Sequence, residues 1–374
     1  MRGRIYQDRR VIAVQPALPQ YRIDFFDRVS ATLRESFVVY HSPESMGVLT
    51  SEGSKERWAR AIGPILRPFA GVEWQVGALS VPVRRGDIVV ISGGHRCLSN
   101  IALLLKAKAV RAKTIWWGQY WSSTSRMWRL LLRLWLMKMA DAVLFYTDTE
   151  TEAYRRTIGC RDKRLISALN NGLDVAPIRE AVVAYKARER DRAGLFVGRI
   201  TDKSNMALLI RALAQPVLAG FHLHILGDGP KKEQMQQLAQ ELGVAERIVW
   251  HAGTIDEARI ADVANRCRLF VYPGSVGLSL IHAMAYGLPA VVHDNRQHHM
   301  PEIAAFQDGG NGRAFREGSS ASLAYTIAEL VDNEPLLDQM SSSSFTMAHS
   351  RHNTEVMAGR FLACVNTLDA TSES

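Results

Sequence analysis

Short runs of apolar residues, many of them β-branched, alternate along the chain with longer stretches in which apolar residues recur every three or four positions. The short runs fit buried strands and the longer stretches fit amphipathic helices, so the pattern predicts parallel sheets with crossover helices. Strands are predicted in the first half at 11–18, 37–41, 72–77, 88–92, 114–117 and 142–146. Those of the second half are predicted at 194–200, 221–227, 248–252, 269–273 and 290–293.

Helical patterns fill the intervals, and a polar stretch at 184–192 separates the two series like a linker. The helices are predicted at 98–110, 149–158, 207–214, 231–242, 257–265, 278–286 and 354–368. We therefore expect an α/β chain with an N-terminal domain at 1–185, a second at 193–350, and a C-terminal segment at 351–374 whose helix could cross back to the first domain. Two doubly wound domains facing across a cleft would place a ligand at the carboxyl ends of their strands.

Charge separates the two halves of this 374-residue chain. Residues 1–150 hold 22 Lys and Arg against 12 Asp and Glu, whereas the whole chain has a net charge of +9, so the first half carries the entire excess. A basic half suits an anionic partner such as a phospholipid surface, a lipid-linked phosphate or a nucleic acid, and a solvated surface without a partner would show the same excess. The four cysteines are scattered, which favours a reducing compartment over a disulfide framework or a zinc site.

Targeting signals are not evident in the sequence. The start, MRGRIYQDRR, has no apolar run behind its charges, and no uncharged apolar run reaches about 18 residues. The expected location is cytoplasmic.

The loop after the predicted strand 194–200 contains candidate phosphate ligands. Gly198 and Arg199 end the strand, and Lys203 follows in a polar loop that leads into an amphipathic helix. Exposed helix N–H groups beside two long cations suit a diphosphate, although two solvated loop cations would give the same pattern.

Two later strand ends have a similar character. Gly227 and Gly229 form a tight turn in which a ligand can approach the backbone closely, although such turns are common without a ligand. The Gly/Ser loop 274–277 precedes a helix and could present N–H groups to a phosphate. His282, one turn into that helix, is placed either to contact a sugar hydroxyl or to satisfy a structural contact.

The order of these segments resembles the GT-B glycosyltransferases of family 4. The similarity rests on GRI with a following lysine, LGDGP, PGSVGLSLIHAMAYGLPAVV, MPEI and NGRAF, and it covers 194–345 with matching spacing. PALPQYRIDFF, WWGQ and NNGLD extend it more loosely over the first half. The resemblance implies a retaining enzyme that moves a sugar from a nucleotide-sugar to a glycan or lipid-linked hydroxyl, in cell-surface polysaccharide or lipopolysaccharide synthesis.

The resemblance also implies roles for single residues. Arg199 and Lys203 would hold the donor diphosphate, and His95, after the strand 88–92, would lie near the transferred sugar unless it is a polar loop residue. Together, the motifs and the resemblance predict a donor site made of Gly198, Arg199, Lys203, Gly227, Gly229, Gly274, Ser275, Val276, Gly277, Leu278, His282 and Glu302. His95, Arg199 and Lys203 are the expected catalytic residues.

The chain departs from the family pattern at three positions. Ser204 stands where the family lysine falls, one place after Lys203. Gly274 and His282 replace a pair of glutamates, of which the first contacts the donor sugar or phosphates and the second binds the ribose of the nucleotide. His282 could bind a ribose as a neutral imidazole, whereas Gly274 leaves only backbone groups. A relative that binds nucleotide-sugars without catalysis therefore stays open.

The mechanism that the resemblance implies needs neither cofactor nor metal. The sequence offers no Asp-x-Asp pair poised to hold Mg²⁺ and no metal-ligating cluster, so cations and helix N-termini would offset the charge of the leaving group. Glu302 falls in a segment that the family places beside the donor, or it only caps the next helix.

The stretch 125–140, SRMWRLLLRLWLMKMA, allows two interpretations. Arg126, Arg129 and Arg133 share one helical face, and five of the eight tryptophans fall between 116 and 135. The helix is either buried on most sides with a solvated arginine stripe, or it lies in the headgroup layer of an anionic membrane.

The sequence argues against three other functions. A nucleic-acid-binding protein would fit the sequence pI of about 9.5, but the basic residues follow no RNP or helix-turn-helix pattern, so no nucleic acid is expected. A Rossmann oxidoreductase lacks the GxGxxG after its first strand. A nucleotide-sugar epimerase of the same fold would need acid and base residues that we cannot assign.

Overall fold

The computed structural model describes residues 9–43, 56–94, 96–120 and 127–370, without the side chains of 127–129. The chain forms two compact units, one of Met1–Asn170 with Thr354–Ser374 and the other of Asn171–Asn353. The chain passes between them at 170/171, upstream of the boundary expected at residue 185, and again at 353/354. Each unit is an α/β structure around its own parallel sheet.

The first unit is built on a seven-stranded parallel sheet in the order β3-β2-β1-β6-β7-β8-β9, with β4 and β5 forming a separate antiparallel pair. The strands are β1 (Val11–Gln15), β2 (Phe37–His41), β3 (Ala59–Ala61), β4 (Ile65–Phe69), β5 (Val72–Gln75), β6 (Ile88–Gly93), β7 (Lys113–Gly118), β8 (Ala142–Phe145) and β9 (Leu165–Ala168). The helices are α1 (Ile23–Leu33), α2 (Leu98–Ala109), α3 (Met127–Met139), α4 (Asp148–Thr157) and α12 (Thr354–Ala370).

The last helix, α12, completes the core of the first unit. Phe361 is fully buried, and its ring lies edge-on to Phe25 of α1 with a centroid separation of 5.7 Å. It also packs against Phe37 of β2. The helix that the sequence placed at 354–368 thus contributes apolar side chains to the unit that begins the chain.

The second unit is built on a six-stranded parallel sheet in the order β12-β11-β10-β13-β14-β15. The strands are β10 (Asp191–Val197), β11 (His222–Leu226), β12 (Ile248–His251), β13 (Cys267–Tyr272), β14 (Ala290–His293) and β15 (Gly312–Phe315). The helices are α5 (Ala176–Ala181), α6 (Met206–Leu213), α7 (Lys232–Glu241), α8 (Glu257–Ala264), α9 (Leu278–Ala285), α10 (Ser320–Val331) and α11 (Glu334–Arg351).

The polar stretch 184–192 is part of the second unit rather than a linker. Ala187 is fully buried, and the buried Arg190 guanidinium donates to the carbonyl oxygens of Ala264 and Cys267 at 3.0 Å each. The stretch then continues directly into β10. The charges of this stretch resemble those of a linker, but the Arg190 guanidinium links the end of α8 to the start of β13 through hydrogen bonds.

Arg133, the one arginine of the predicted stripe on α3 whose side chain the structure describes, is not solvated. Arg133 is buried and donates to the carbonyl oxygen of Tyr120 at 3.3 Å, near the buried Glu150 of α4. Burial raises the pKa of Glu150 to about 7, although three backbone N–H groups donate to this carboxylate. The solvent-facing side of α3 instead shows Leu131 and Trp135, each 59% exposed. Arg126 lies outside the described residues, as does the side chain of Arg129.

Over the part of the chain that the structure describes, no helix is both long enough and apolar enough to cross a membrane.

Candidate functional site

Parallel strands end at a common edge, and the loops that follow β10 and β11 meet there backbone to backbone. A Cβ atom on Gly227 would lie well under 3.0 Å from the carbonyl oxygen of Gly198, and one on Gly229 would lie equally close to that of Ile200. The N–H of Ile200 donates to the carbonyl oxygen of Asp228 at 2.9 Å. Glycine is required at 227 and 229 because the neighbouring loop occupies the space of a side chain.

The loop after β13 packs on the loop after β10 in the same way. A Cβ atom on Gly274 would lie well under 3.0 Å from the carbonyl oxygen of Lys203, and the N–H of Ser275 donates to that oxygen at 3.0 Å. The glutamate that the family resemblance expects at 274 therefore has no room in this fold. Glycine at 274 therefore does more than remove the charged group of the family glutamate, because it also lets the two loops pack against each other.

A buried serine explains the shift of the lysine by one residue. Ser204 is fully buried, and its hydroxyl donates to the carbonyl oxygen of Thr201 at 2.7 Å and accepts the Thr201 N–H at 3.1 Å. These bonds close the short 3₁₀ helix Asp202–Ser204 that precedes α6. Lys203 and Arg199 are both exposed on this loop, so the structure brings two cations to the same strand end.

His299 holds the other side of the β13 loop. Its Nδ1 accepts the N–H of Val276 at 3.2 Å, and its Nε2 lies 2.9 Å from the carbonyl oxygen of His293. A carbonyl can only accept, so the proton is on Nε2 and the ring is neutral. Burial lowers the pKa of His299 to about 4, which agrees with this tautomer.

These contacts change which amides can face a phosphate. The N–H groups of Ser275 and Val276 are already bonded to Lys203 and His299, although the sequence placed both residues in the anion site. The first N–H groups of a helix have no acceptor within the helix. In the first turn of α9 the N–H of Leu280 donates to the carbonyl oxygen of Gly277 at 2.9 Å, so the N–H groups of Leu278 and Ser279 remain to bind an anion. The candidate phosphate site is therefore the helix end and not the loop before it.

A carboxylate reaches α9 from the neighbouring helix. His282 Nε2 lies 2.8 Å from Oε1 of Glu257, the first residue of α8, and the Tyr286 hydroxyl donates to the same oxygen. Burial opposes ionisation of Glu257, but the hydrogen bonds from His282 and Tyr286 outweigh it and lower its pKa. A negative charge thus lies beside the position at which the family carries its second glutamate.

Glu302 is a second carboxylate at this edge, and it is buried. It is 5% exposed, and its Oε1 accepts the Asn171 side-chain amide at 2.9 Å. Its Oε2 faces Gly277, 3.7 Å from where a Cβ atom on that glycine would lie. Glu302 is therefore oriented toward the start of α9 instead of serving only as a helix cap.

A cavity of about 540 Å³ opens between β11, β12 and α8. His224 and His251 stack on one side with a 3.0 Å contact between ring nitrogens, and Trp250, Arg259 and Arg266 also line the cavity. Burial lowers the pKa of both histidines. The motifs did not point to this cavity.

The structure brings the predicted donor residues of 198–302 to one edge of one sheet. His95 lies outside the described residues, so its expected catalytic role stays a prediction. Sequence reasoning missed Glu257, His299 and Asn171, whose partners lie 25, 23 and 131 residues away along the chain. The sequence signals near these residues were the motif NNGLD, which contains Asn171, and the double histidine 298–299 before MPEI.

Residues 178–346, which lie within the second unit, match the glycosyl transferases group 1 family. Lipopolysaccharide 1,6-galactosyltransferase of Salmonella typhimurium is 28% identical over 140 residues, which cover 35% of this chain and 38% of that protein. D-inositol 3-phosphate glycosyltransferase of Mycobacterium marinum is 28% identical over 197 residues, which cover 49% of this chain and 39% of that protein. The chain thus spans less than half the length of these curated relatives.

The likeness of fold extends over nearly the whole chain. HepE of Anabaena, solved in complex with UDP, matches with a TM-score of 0.70 and 14% identity, over 96% of this chain and 100% of that protein. At this identity the likeness shows the fold alone. The fold is GT-B, as the sequence predicted.

Restoring the family glutamate at Gly274 should unfold the loop instead of improving the site. We expect Gly274→Ala and Gly274→Glu to lower the free energy of unfolding by about 3 kcal/mol, because a Cβ atom must displace the Lys203 carbonyl. Urea denaturation of the full chain measures this. Gly359→Ala is the control, since nothing lies within 4 Å of its Cβ position in α12, and it should gain about 0.5–1 kcal/mol. A Gly274→Glu protein as stable as the wild type would contradict the packing.

Lowering the pH should destabilise the loop after β13, because His299 becomes protonated. Its pKa is lowered to about 4 in the fold against about 6.5 when unfolded, so the unfolded chain binds more protons between these values. Stability is therefore expected to fall as pH drops from about 6.5 to about 4, with about 1–3 kcal/mol of the loss due to this residue.

Urea denaturation of wild type and His299→Gln across pH 4–7 isolates that contribution, because the other buried histidines titrate in both proteins. The variant should show a shallower pH dependence. Identical slopes would mean that His299 does not titrate with the fold.

Proposed function

We propose that this chain, whose residues 178–346 match the glycosyl transferases group 1 family, moves a sugar from a nucleotide-sugar to a hydroxyl of a glycan or lipid-linked acceptor. The reaction retains the anomeric configuration, needs no metal, and serves cell-surface polysaccharide or lipopolysaccharide synthesis at the cytoplasmic side of a membrane. The observation that carries the proposal is the convergence of Arg199, Lys203 and the first turn of α9 at one sheet edge.

The proposed chemistry balances without further reactants. The bond between the sugar C1 and the phosphate oxygen of the donor breaks, and a bond from C1 to the acceptor oxygen forms on the same face. The acceptor proton passes to the leaving phosphate oxygen. The negative charge that develops on the diphosphate is offset by the two cations and by the N–H groups of α9, which are held in place before the reaction begins.

The names of similar proteins guide the choice of ligands. HepE is solved with UDP, and the Salmonella relative is named for lipopolysaccharide. We take a UDP-sugar as the donor class and a saccharide of the cell envelope as the acceptor class.

A nucleotide-sugar-binding relative without transfer activity remains the second candidate. It is favoured by one observation, the tight packing of Gly274 on Lys203, which leaves the donor sugar without the first family glutamate. Glu302, buried and oriented toward Gly277, offers a carboxylate near that place and supports the active alternative.

Binding of nucleoside diphosphates tests the donor site. UDP, GDP and ADP are titrated calorimetrically with and without Mg²⁺ into wild type and Arg199→Ala, and Arg211→Ala, an exposed cation at the end of α6, is the control. One nucleotide should bind regardless of Mg²⁺, about tenfold more weakly to Arg199→Ala and equally to the control, because one charge-assisted hydrogen bond is lost.

The same titrations separate the two candidates when UDP-sugars are added and the release of UDP is followed. Tight binding with no release of UDP in the presence of envelope saccharides would favour the inactive relative. Binding of no nucleotide at all, or binding only with Mg²⁺, would contradict the proposed site.

An anionic membrane surface is the proposed partner of the basic half. Leu131 and Trp135 lie one helical turn apart on the exposed side of α3, and the exposed Lys138 follows on the same side. An apolar stripe next to an exposed lysine suits the headgroup layer of a membrane with anionic lipids.

Liposome flotation tests this partner. The wild type should float with vesicles containing anionic lipid at low salt and be released at high salt, and replacing Leu131 and Trp135 together by Gln should abolish flotation. The control is Tyr325→Gln, which removes a 67% exposed aromatic residue from α10 of the second unit. Flotation that is unchanged in the double variant would contradict a role for α3.

A further inference from the structure

Glu257 has one oxygen fixed and one oxygen open. Oε1 accepts from His282 Nε2 at 2.8 Å and from the Tyr286 hydroxyl, whereas no described residue donates to Oε2. The side chain is 23% exposed, so the open oxygen can be reached from solvent. Two donors from α9 therefore hold a carboxylate in one orientation and leave half of its accepting capacity for a ligand.

The position of Glu257 relative to the anion site selects what it can bind. His282 lies four residues after Leu278, which is about 6 Å along the helix axis. A nucleoside diphosphate whose phosphates lie at the first turn of α9 places its ribose about that far away. A carboxylate accepts hydrogen bonds from two neighbouring hydroxyls, which is the chemistry of the ribose 2′ and 3′ positions.

On these grounds we infer that Glu257 binds the ribose hydroxyls of the nucleotide, and that His282 is a positioning residue that holds it from α9. This inference rests on the proposed function, since it assumes a nucleoside diphosphate at the first turn of α9. It differs from the expectation that the imidazole of His282 contacts the ribose itself, because Nε2 is already bonded to Glu257.

The geometry also explains why His282 is tolerated in place of a glutamate. Glutamate at 282 would face Glu257 as a second carboxylate at hydrogen-bond distance, and two such groups repel when both are ionised. A histidine at 282 has a ring N–H to donate, so α8 can supply the charge that α9 lacks. Glu257 and His282 together thus provide one carboxylate at the site.

The test compares a nucleotide with forms that lack the hydroxyls. UDP, 2′-deoxy-UDP and 3′-deoxy-UDP are titrated into wild type, Glu257→Gln and Glu329→Gln, the last a control on an exposed side chain of α10. In the wild type each missing hydroxyl should weaken binding about tenfold or more. Glu257→Gln should weaken UDP by about tenfold to a hundredfold and each deoxy form, which keeps only one of the two hydroxyls, by a clearly smaller factor, and the control should behave as the wild type.

A variant in which the two side chains are exchanged distinguishes loss of the carboxylate from loss of the fold. Glu257→His combined with His282→Glu keeps the hydrogen bond and moves the carboxylate to α9, so the preference for UDP over its deoxy forms should return. Thermal melts confirm that each variant is folded before it is titrated. His282→Glu alone should bind UDP more weakly than the double variant does.

The outcomes separate this inference from the proposed function. If UDP binds but Glu257→Gln weakens the ribo and deoxy forms by the same factor, or weakens none, Glu257 does not contact the ribose and only this inference fails. If no nucleoside diphosphate binds to the wild type, the proposed function fails and takes this inference with it.

Discussion

Backbone packing between loops is the constraint on which the rest of the candidate site depends. The loop after β10 touches the loop after β11 at Gly227 and Gly229 and the loop after β13 at Gly274, and each contact leaves no space for a Cβ atom. Direct backbone hydrogen bonds, such as that from Ser275 to Lys203, run along the same seams. Loops that are packed together in this way cannot move separately, so the backbone positions from which Arg199 and Lys203 extend and the helix end beside them are fixed relative to one another before any ligand arrives.

The same packing decides where charged groups can come from. With no room for a side chain at 274, the carboxylates near α9 are supplied by Glu257 from α8 and by Glu302 from the loop after β14. Each is held by a partner from another element, His282 in the first case and Asn171 in the second. The family pattern places its charges on the loop before α9 and on α9 itself, whereas in this chain neighbouring elements bring the carboxylates to α9.

Sequence patterns predicted the buried strands best, because these are read from unbroken apolar runs. The predicted strands 37–41 and 290–293 coincide with β2 and β14, whereas the short or polar strands β3, β9 and β15 were missed. Helix α11 was also missed because it carries four consecutive serines. Two of them, Ser341 and Ser344, are buried, so small polar residues pack there without an apolar stripe.

At the site, the sequence predicted positions but not partners. Glycines mark where loops approach closely, and the order of the motifs was enough to place them at one sheet edge. That His299 bonds the Val276 amide, or that Glu257 bonds His282, depends on contacts between loops and helices that are far apart along the chain. The prediction of a solvated side chain was wrong at Arg133 for a related reason, because Arg133 is buried near Glu150 although its spacing matches an exposed face.

A crystal structure of the chain with UDP bound would test the central claim most directly, since that claim concerns where the locked loops place a nucleotide. The account predicts the diphosphate within hydrogen-bond distance of the Leu278 N–H and the Arg199 guanidinium, with the ribose hydroxyls on Oε2 of Glu257. UDP bound elsewhere, for instance in the cavity beside His224 and His251 with the first turn of α9 left empty, would contradict it.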